Sequence, residues 1–377
     1  VPTGSNASTG STASSASTAK RIAVVTGTRA EFGLLRPVMQ AVADHPALSL
    51  RVVVAGMHLI TPTGRDIRDA GFTADARVPM QKAGRTGRAA DVAAIARGVA
   101  GFGKAFDKLR PDVVLVLGDR IEPLAAAVAA SVGGVRLAHV HGGDRAEGVA
   151  DEAIRHAVTK LAHVHFPATT TSRRRIIRMG EDPAHVCRVG SPAIDGVKAV
   201  RADPAAPDAI VVQHPIGADD EQEGRWFSET WAAVEAAKLK ALALAPNADP
   251  GGDGIRAVQQ QLGLEVIEHM PRPRFLAMLK GARVIVGNSS AGLIEAAALR
   301  TACVNVGPRQ AGREAPSHVV ACGYGRSAVA EAIRAARRLD LTRFRHPYGR
   351  GDTGMQIAAR LAALDLGDIP VRKRNTY

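Results

Sequence analysis

The chain has 377 residues, 46% of them hydrophobic and only 3% aromatic, with a formal charge of +13. That is enough chain for two domains, with cores filled by Ala, Val, Leu and Ile. Three widely spaced cysteines without a CxxC pair, and no apolar run of bilayer length, exclude a disulfide scaffold, a zinc ribbon and a membrane span.

Residues 1–19 are rich in Ser, Thr, Ala and Gly and read as a disordered tail, not a secretory signal. A strand is predicted over 21–26, then the loop GTRAEFG and a helix over 34–44. Further strands follow at 51–55, 112–117, 135–140, 163–166 and 186–189. The pattern restarts with a strand over 209–213, a helix running through 226–242 and strands over 264–268 and 283–286. GNSSAG (287–292) then opens a helix to 299, and 302–306 is a strand. Strands that are apolar throughout, alternating with helices, predict a parallel sheet covered on both faces. The fold class is therefore α/β, with two Rossmann-like doubly wound domains facing a cleft. The boundary is placed between 191 and 209, where Pro192, Pro204 and Pro207 cluster, giving domains over 20–195 and 196–365 and a C-terminal tail over 366–377. No GxGxxG follows the first strand, so nothing supports a nicotinamide cofactor.

The unusual polar residues come directly after strands. Arg29 follows the first, Asp119 and Arg120 follow DVVLVLG, and His141 and Asp144 follow the strand over 135–140. His214 follows IVVQ, and Ser289 and Ser290 follow RVIVGN. In open parallel sheets ligands bind at those strand ends. Asp151 and Arg155, four apart, share one helix face. Small residues around Ser289, Ser290 and Gly292 leave backbone N–H groups for an anion at a helix start. Glu295 lies one turn on, where a carboxylate can take a ribose diol, and Arg309 and Arg313 add cations. Together these point to a nucleoside diphosphate in the second half. His139, His163 and His165 read as core histidines, and Arg173–Arg178 as a solvated helix face.

Seven or eight ordered motifs, GTRAEFGLL, GMHL, PDVVLVLGDR, HVHGGD, DEAIRHAVTKLAHVHF, PNADPG and GNSSAGLIEA with GPRQAGRE, resemble the UDP-N-acetylglucosamine 2-epimerase family. The resemblance implies the glycosyltransferase-B fold with a UDP-sugar in the cleft. It also implies no nicotinamide cofactor, no essential metal and commonly a homodimer. It implies UDP-N-acetylglucosamine as substrate, and a cytoplasmic setting fits the cysteine usage. The family chemistry is anti elimination of UDP through 2-acetamidoglucal. UDP re-addition then gives UDP-N-acetylmannosamine, or water gives free N-acetylmannosamine. Carried over by position, Asp119 is the acid/base candidate, Asp151 the catalytic carboxylate and Arg155 its arginine. His214 lies near the pyrophosphate, Arg29 holds phosphate, Ser290 and Glu295 bind phosphate and ribose, and His58 belongs to a family loop.

His141 stands where the non-hydrolysing branch has a glutamate, and Leu34 replaces that branch's first-loop lysine. Both match the hydrolysing pattern HxHGGE, but Asp144 is one methylene shorter than that pattern's glutamate. Both outcomes for UDP stay open. A glycosyltransferase of the same fold would keep the nucleotide site and lose the acids. A non-catalytic nucleotide- or nucleic-acid-binding protein would use the net charge, but no basic stripe is interleaved with aromatics. Neither nucleic acid nor a membrane is an expected partner.

Overall fold

The computed structural model describes residues 19–85, 87–146, 151–247, 249–268 and 270–376, apart from the side chain of Asp151. The expected N-terminal tail falls almost wholly outside these.

Among the described residues, twelve strands form two parallel six-stranded sheets. The first contains β1 (Lys20–Thr26), β2 (Leu48–Ala55), β3 (Ala76–Val78), β4 (Val113–Leu117), β5 (Arg136–Val140) and β6 (Val164–Phe166), in the order β3-β2-β1-β4-β5-β6. The second contains β7 (Ala209–Val212), β8 (Ala241–Leu244), β9 (Val266–Ile267), β10 (Val284–Gly287), β11 (Ala302–Val306) and β12 (Val319–Cys322), in the order β12-β11-β10-β7-β8-β9. Read from its other edge, the second order repeats the first. Each sheet reverses direction once, between β1 and β4 and between β7 and β10. A crevice opens at such a reversal, outside the strand C-termini.

The packing follows from strand alternation. In β1, Ile22 and Val24 enter one core while Ala23 and Val25 enter the other. In β7, Ile210 and Val212 face one side and Ala209 and Val211 the opposite side. Both faces are apolar, so helices must cover both.

Several elements differ from the sequence reading. The first helix begins at Arg29, because Thr28 and Glu31 form a reciprocal capping box. The helix expected through 242 spans only Asp220–Ala236. Lys238 adopts a left-handed φ of 53°, and alternating Ala and Leu then form β8. Residues 186–189 contribute one bridge, His165 to Val186, and no full strand. The helix expected from GNSSAG to 299 is two short pieces, Ser290–Leu293 and Glu295–Leu299.

The expected C-terminal limits also change. The helix Thr353–Ala363 packs on the first half. Its Ile357, Ala358 and Leu361 join the first core beside helix Arg29–Asp44. Beyond it, Ile369 is buried in the same core, and Arg136 Nε donates to its carbonyl at 2.8 Å. The apolar spacing at 357, 358 and 361 marks one helical face, and that face needs the first sheet to bury it. Residues 366–376 are therefore a strap along the first domain instead of a tail. Among the described residues, no helix is long and apolar enough to cross a membrane.

Candidate active site

At the first reversal, the loop after β1 turns straight into helix Arg29–Asp44. Arg29 Nε is 2.9 Å from Asp66 Oδ2, so its charge is already partly engaged. Glu31 Oε2 accepts the N–H of Gly27 at 2.8 Å and of Thr28 at 3.4 Å. Burial, with Glu122 adding to it against those two donors, pushes Glu31 up to about 8. His58, expected as a ligand residue, is buried. Its Nε2 lies 3.2 Å from Thr26 Oγ1 and its Nδ1 3.1 Å from Thr63 Oγ1. With both nitrogens committed, it braces the loops and offers no polar atom to a ligand.

After β4 and β5, the expected acids gather around a guanidinium. Arg155 is 2% exposed and is held between Asp119 and Glu152; its Nη1 reaches Glu152 Oε2 at 2.7 Å. The same Nη1 donates to the Asp144 carbonyl at 3.3 Å. Burial, with Arg313 nearby, lowers Arg155 to about 9. Asp151 begins this helix, Asp151–Leu161, but its side chain lies outside the described residues. Glu152 stands out in the sequence only as part of this polar segment, with no role of its own. Its other oxygen reaches His156 Nε2 at 3.1 Å, and Oε2 also accepts the N–H of Ala146 at 2.7 Å.

Asp144 does not project freely. Its Oδ2 is 2.8 Å from His141 Nδ1, and its Oδ1 accepts from Ser172 Oγ at 2.6 Å. Burial opposes its ionisation, but the bonded His141 ring, Arg313 and Ser172 outweigh that and hold the carboxyl below its ordinary value. His141 Nε2 lies 2.9 Å from Ser191 Oγ.

The second reversal carries the nucleotide candidates. The His214 N–H donates to Asn288 Oδ1 at 2.7 Å, and Asn288 Nδ2 returns a bond to the His214 carbonyl at 2.8 Å. This exchange clamps the ends of β7 and β10. Gly287 closes the clamp, since a Cβ there would lie 2.1 Å from the Val212 oxygen, and its φ is +132°. His214 Nδ1 accepts the Asn247 N–H at 3.1 Å, so the neutral ring carries its proton on Nε2 as a donor. Burial, then Arg309, lowers its pKa to about 3.

Ser289 caps the short helix by accepting from Ala291 N at 3.3 Å, and Ser290 is its first residue. Four residues make only a small dipole, so any anion here depends on local N–H groups. Gly292 was expected among the ligands, but its N–H goes to the Ser289 carbonyl and its own carbonyl accepts from His318. Its backbone is spent inside the turn. Glu295 pairs with Arg272 Nη1 at 3.0 Å, and Arg272 also bonds the Ala193 carbonyl. Arg29 and Arg272 both line a cavity of about 770 Å³, which Asp119, Asp144 and His214 do not line.

The two halves meet at these residues. Arg120 pairs with Asp249 at 3.0 Å. Arg175 Nη1 holds the Gly143 carbonyl at 2.9 Å, and its Nη2 reaches the Gly312 carbonyl at 3.4 Å. The charge of Arg313 acts on Asp144 and Arg155, and that of Arg309, whose Nη1 donates to the Asn288 carbonyl at 3.4 Å, acts on His214. Asn288, Asp249, Arg272 and Ser191 escaped the sequence reading, although three of them stand in the quoted motifs or directly beside a strand end. Among the described residues, no group of His, Cys, Asp and Glu is arranged to hold a metal ion.

The profile of the UDP-N-acetylglucosamine 2-epimerase family matches residues 40–362. The hydrolysing UDP-N,N'-diacetylbacillosamine 2-epimerase of Legionella pneumophila is 34% identical over 377 aligned residues, 95% of this chain and 100% of that one. The UDP-N-acetylglucosamine 2-epimerase of Neisseria meningitidis is 29% identical over 89% of this chain and 92% of its own. The structure of Methanocaldococcus jannaschii UDP-GlcNAc 2-epimerase with UDP-GlcNAc and UDP superposes with a TM-score of 0.77. It is 17% identical and covers 90% of this chain and 99% of that one, a likeness of fold. With the doubled reversal order, the acids after β4 and β5 and the clamp after β7 and β10, these matches establish that the chain belongs to the UDP-N-acetylglucosamine 2-epimerase family.

Proposed function

We propose that this enzyme inverts C2 of UDP-N-acetylglucosamine and releases UDP and free N-acetylmannosamine. The observation that carries the reading is the meeting of Asp119, Arg155 and Asp144 from one half with Arg313 from the other. Carboxylates for C2 and cations for a departing diphosphate then share one cleft. The C2 hydrogen is not next to a carbonyl, so its removal must accompany loss of the leaving group. A carboxylate takes the C2 proton as the C1–O bond to UDP breaks, leaving 2-acetamidoglucal. Water then adds its oxygen at C1 while a proton reaches C2 on the opposite face.

Asp119, paired with Arg155, is a base candidate at one side; Asp151 is the second carboxylate. Arg29, Ser290, Arg309 and the Nε2–H of His214 receive the diphosphate, and the cavity beside Arg272 and Glu295 receives the nucleoside. Hydrolysis is favoured over UDP re-addition by His141 and by the 34%-identical relative, which is named as a hydrolysing enzyme. Two copies of the chain form the working unit, and the cytoplasm is its setting.

That relative supports a second reading, in which the sugar is a 2,4-diacetamido sugar carried on UDP. UDP release with each nucleotide-sugar, measured under kcat/KM conditions, separates the two. A higher kcat/KM for UDP-N-acetylglucosamine supports the first reading. Turnover confined to the diacetamido sugar replaces it with the second. UDP-N-acetylmannosamine accumulating without free UDP would reject hydrolysis.

A further inference from the structure

Ser191 is wholly buried at the first crossing between the domains. Its N–H donates to the Tyr348 carbonyl, on the returning crossing, at 2.8 Å. The two crossings touch at glycines with left-handed backbones. A Cβ on Gly190 (φ +91°) would lie 2.6 Å from the Tyr348 oxygen and 2.9 Å from Gly349 Cα. Beside them, Asp195 accepts the N–H groups of Thr353 and Gly354 at 2.9 and 2.7 Å. The chain can hardly shift at Ser191 without disturbing this junction.

The Ser191 hydroxyl faces the acid cluster. It lies 2.9 Å from His141 Nε2 and accepts the Ala193 N–H at 3.2 Å. His141 holds a left-handed φ of +64°, which is costly for a residue with a side chain, so its surroundings must impose it. Asp144 Oδ1 already accepts the Ser172 hydroxyl and its Oδ2 lies 2.8 Å from His141 Nδ1, so the carboxylate is the acceptor and Nδ1 carries a proton. If Nε2 carried one as well, Ser191 Oγ would face two donors, and its own buried hydrogen would need a further acceptor. With Nε2 bare, the Ser191 O–H donates to it, the Ala193 N–H donates to Ser191, and every hydrogen has an acceptor.

We propose that Ser191 is a positioning residue of the reaction, fixing the His141 tautomer that donates to Asp144 and tying that carboxylate to the domain crossing. The chain runs from Ser191 Oγ through His141 to Asp144, whose other oxygen is fixed by Ser172. Ser191 touches no reacting atom; it aligns the acid only while the crossing is in place. The inference rests on the proposed C2 chemistry for its kinetic part, but the tautomer can be read without turnover.

The first test is nitrogen-15 NMR of the His141 ring in the wild-type full chain, assigned with His141→Gln. A protonated Nδ1 with a bare Nε2 is expected. A protonated Nε2 overturns the proposal whatever the substrate proves to be. The second test compares Ser191→Ala with Ser191→Thr in UDP-sugar turnover and in UDP binding. The alanine variant should lose kcat on the order of 100-fold, with UDP affinity and KM within about 2-fold of wild type. The threonine variant, which keeps the hydroxyl, should recover most of that loss. Wild-type kcat in Ser191→Ala, or equal losses in both variants with the tautomer unchanged, would overturn the positioning role.

Discussion

Arg155 shows what one residue can and cannot reveal. Its spacing from Asp151 suggests a shared helix face, yet its described partners are Asp119, on another strand end, and Glu152. The first is a tertiary partner that no helical period announces. Removing the buried guanidinium leaves two half-buried carboxylates without the cation they share. Arg155→Met should therefore cost about 3 kcal/mol of stability and at least 100-fold in kcat/KM. Denaturant unfolding and steady-state kinetics check the two effects separately. Glu31 makes a prediction about pH. Its folded pKa, about 8, lies above the ordinary glutamate value, so its stabilising contribution is complete below about 4.5 and is lost as pH rises through 8. Tm should fall between pH 5 and 9, and Glu31→Gln, which still accepts from Gly27 and Thr28, should flatten that fall. An unchanged slope would mean that Glu31 is ionised in the folded protein throughout. The Thr28–Glu31 capping box was legible in TRAE; the proton on Glu31 was not, because it depends on burial by the tertiary fold, with Glu122 from another helix adding to it.

At the scale of elements, long apolar strands such as β1, β4 and β10 were legible because both their faces are buried. β3 and β8 were not. β3 has only three residues and shows no period, and β8 was absorbed into the preceding helix because AAKLKALALA is composed of good helix formers, whereas the two residues of β9 fall inside the strand expected over 264–268. The GNSS segment was legible as a helix start after a strand, but not its reliance on Gly287. Gly287→Ala would force a Cβ into the Val212 carbonyl at a φ forbidden to side chains. It should destabilise the second domain by roughly 3 kcal/mol and lower UDP affinity, which calorimetry would read. The C-terminal strap is the largest element misread from sequence. Glu181 is buried and holds Lys160, His165 and Lys373; burial opposes its charge, but those three partners bring its pKa down to about 2. Deleting residues 366–377 should lower Tm by several degrees. Retention of the full Tm would return the segment to the status of a tail.

At the scale of the molecule, the doubled order of strands places both crevices on one cleft. The duplicated pattern of strands and turns was readable in the chain, and so was the place of the candidate residues after the strand ends. The contacts that join the halves were not readable, since Arg120 meets Asp249, and Thr171 meets Glu314, across residues far apart in sequence. The Arg120–Asp249 pair is partly exposed, so its worth to folding is about 1 kcal/mol or less. Its weight falls on how the halves close. Asp249→Asn should leave Tm within about 2 °C of wild type while raising KM for the nucleotide-sugar several-fold, measurable by initial rates. The chemistry proposed for the whole has C2 losing and regaining a proton as UDP departs. The most direct measurement is proton NMR of UDP-N-acetylglucosamine incubated with the enzyme in deuterated water. The account predicts free UDP and N-acetylmannosamine carrying one deuterium at C2 in every product molecule. Free UDP accompanied by a sugar that keeps its original C2 hydrogen, or no reaction at C2 at all, would contradict it.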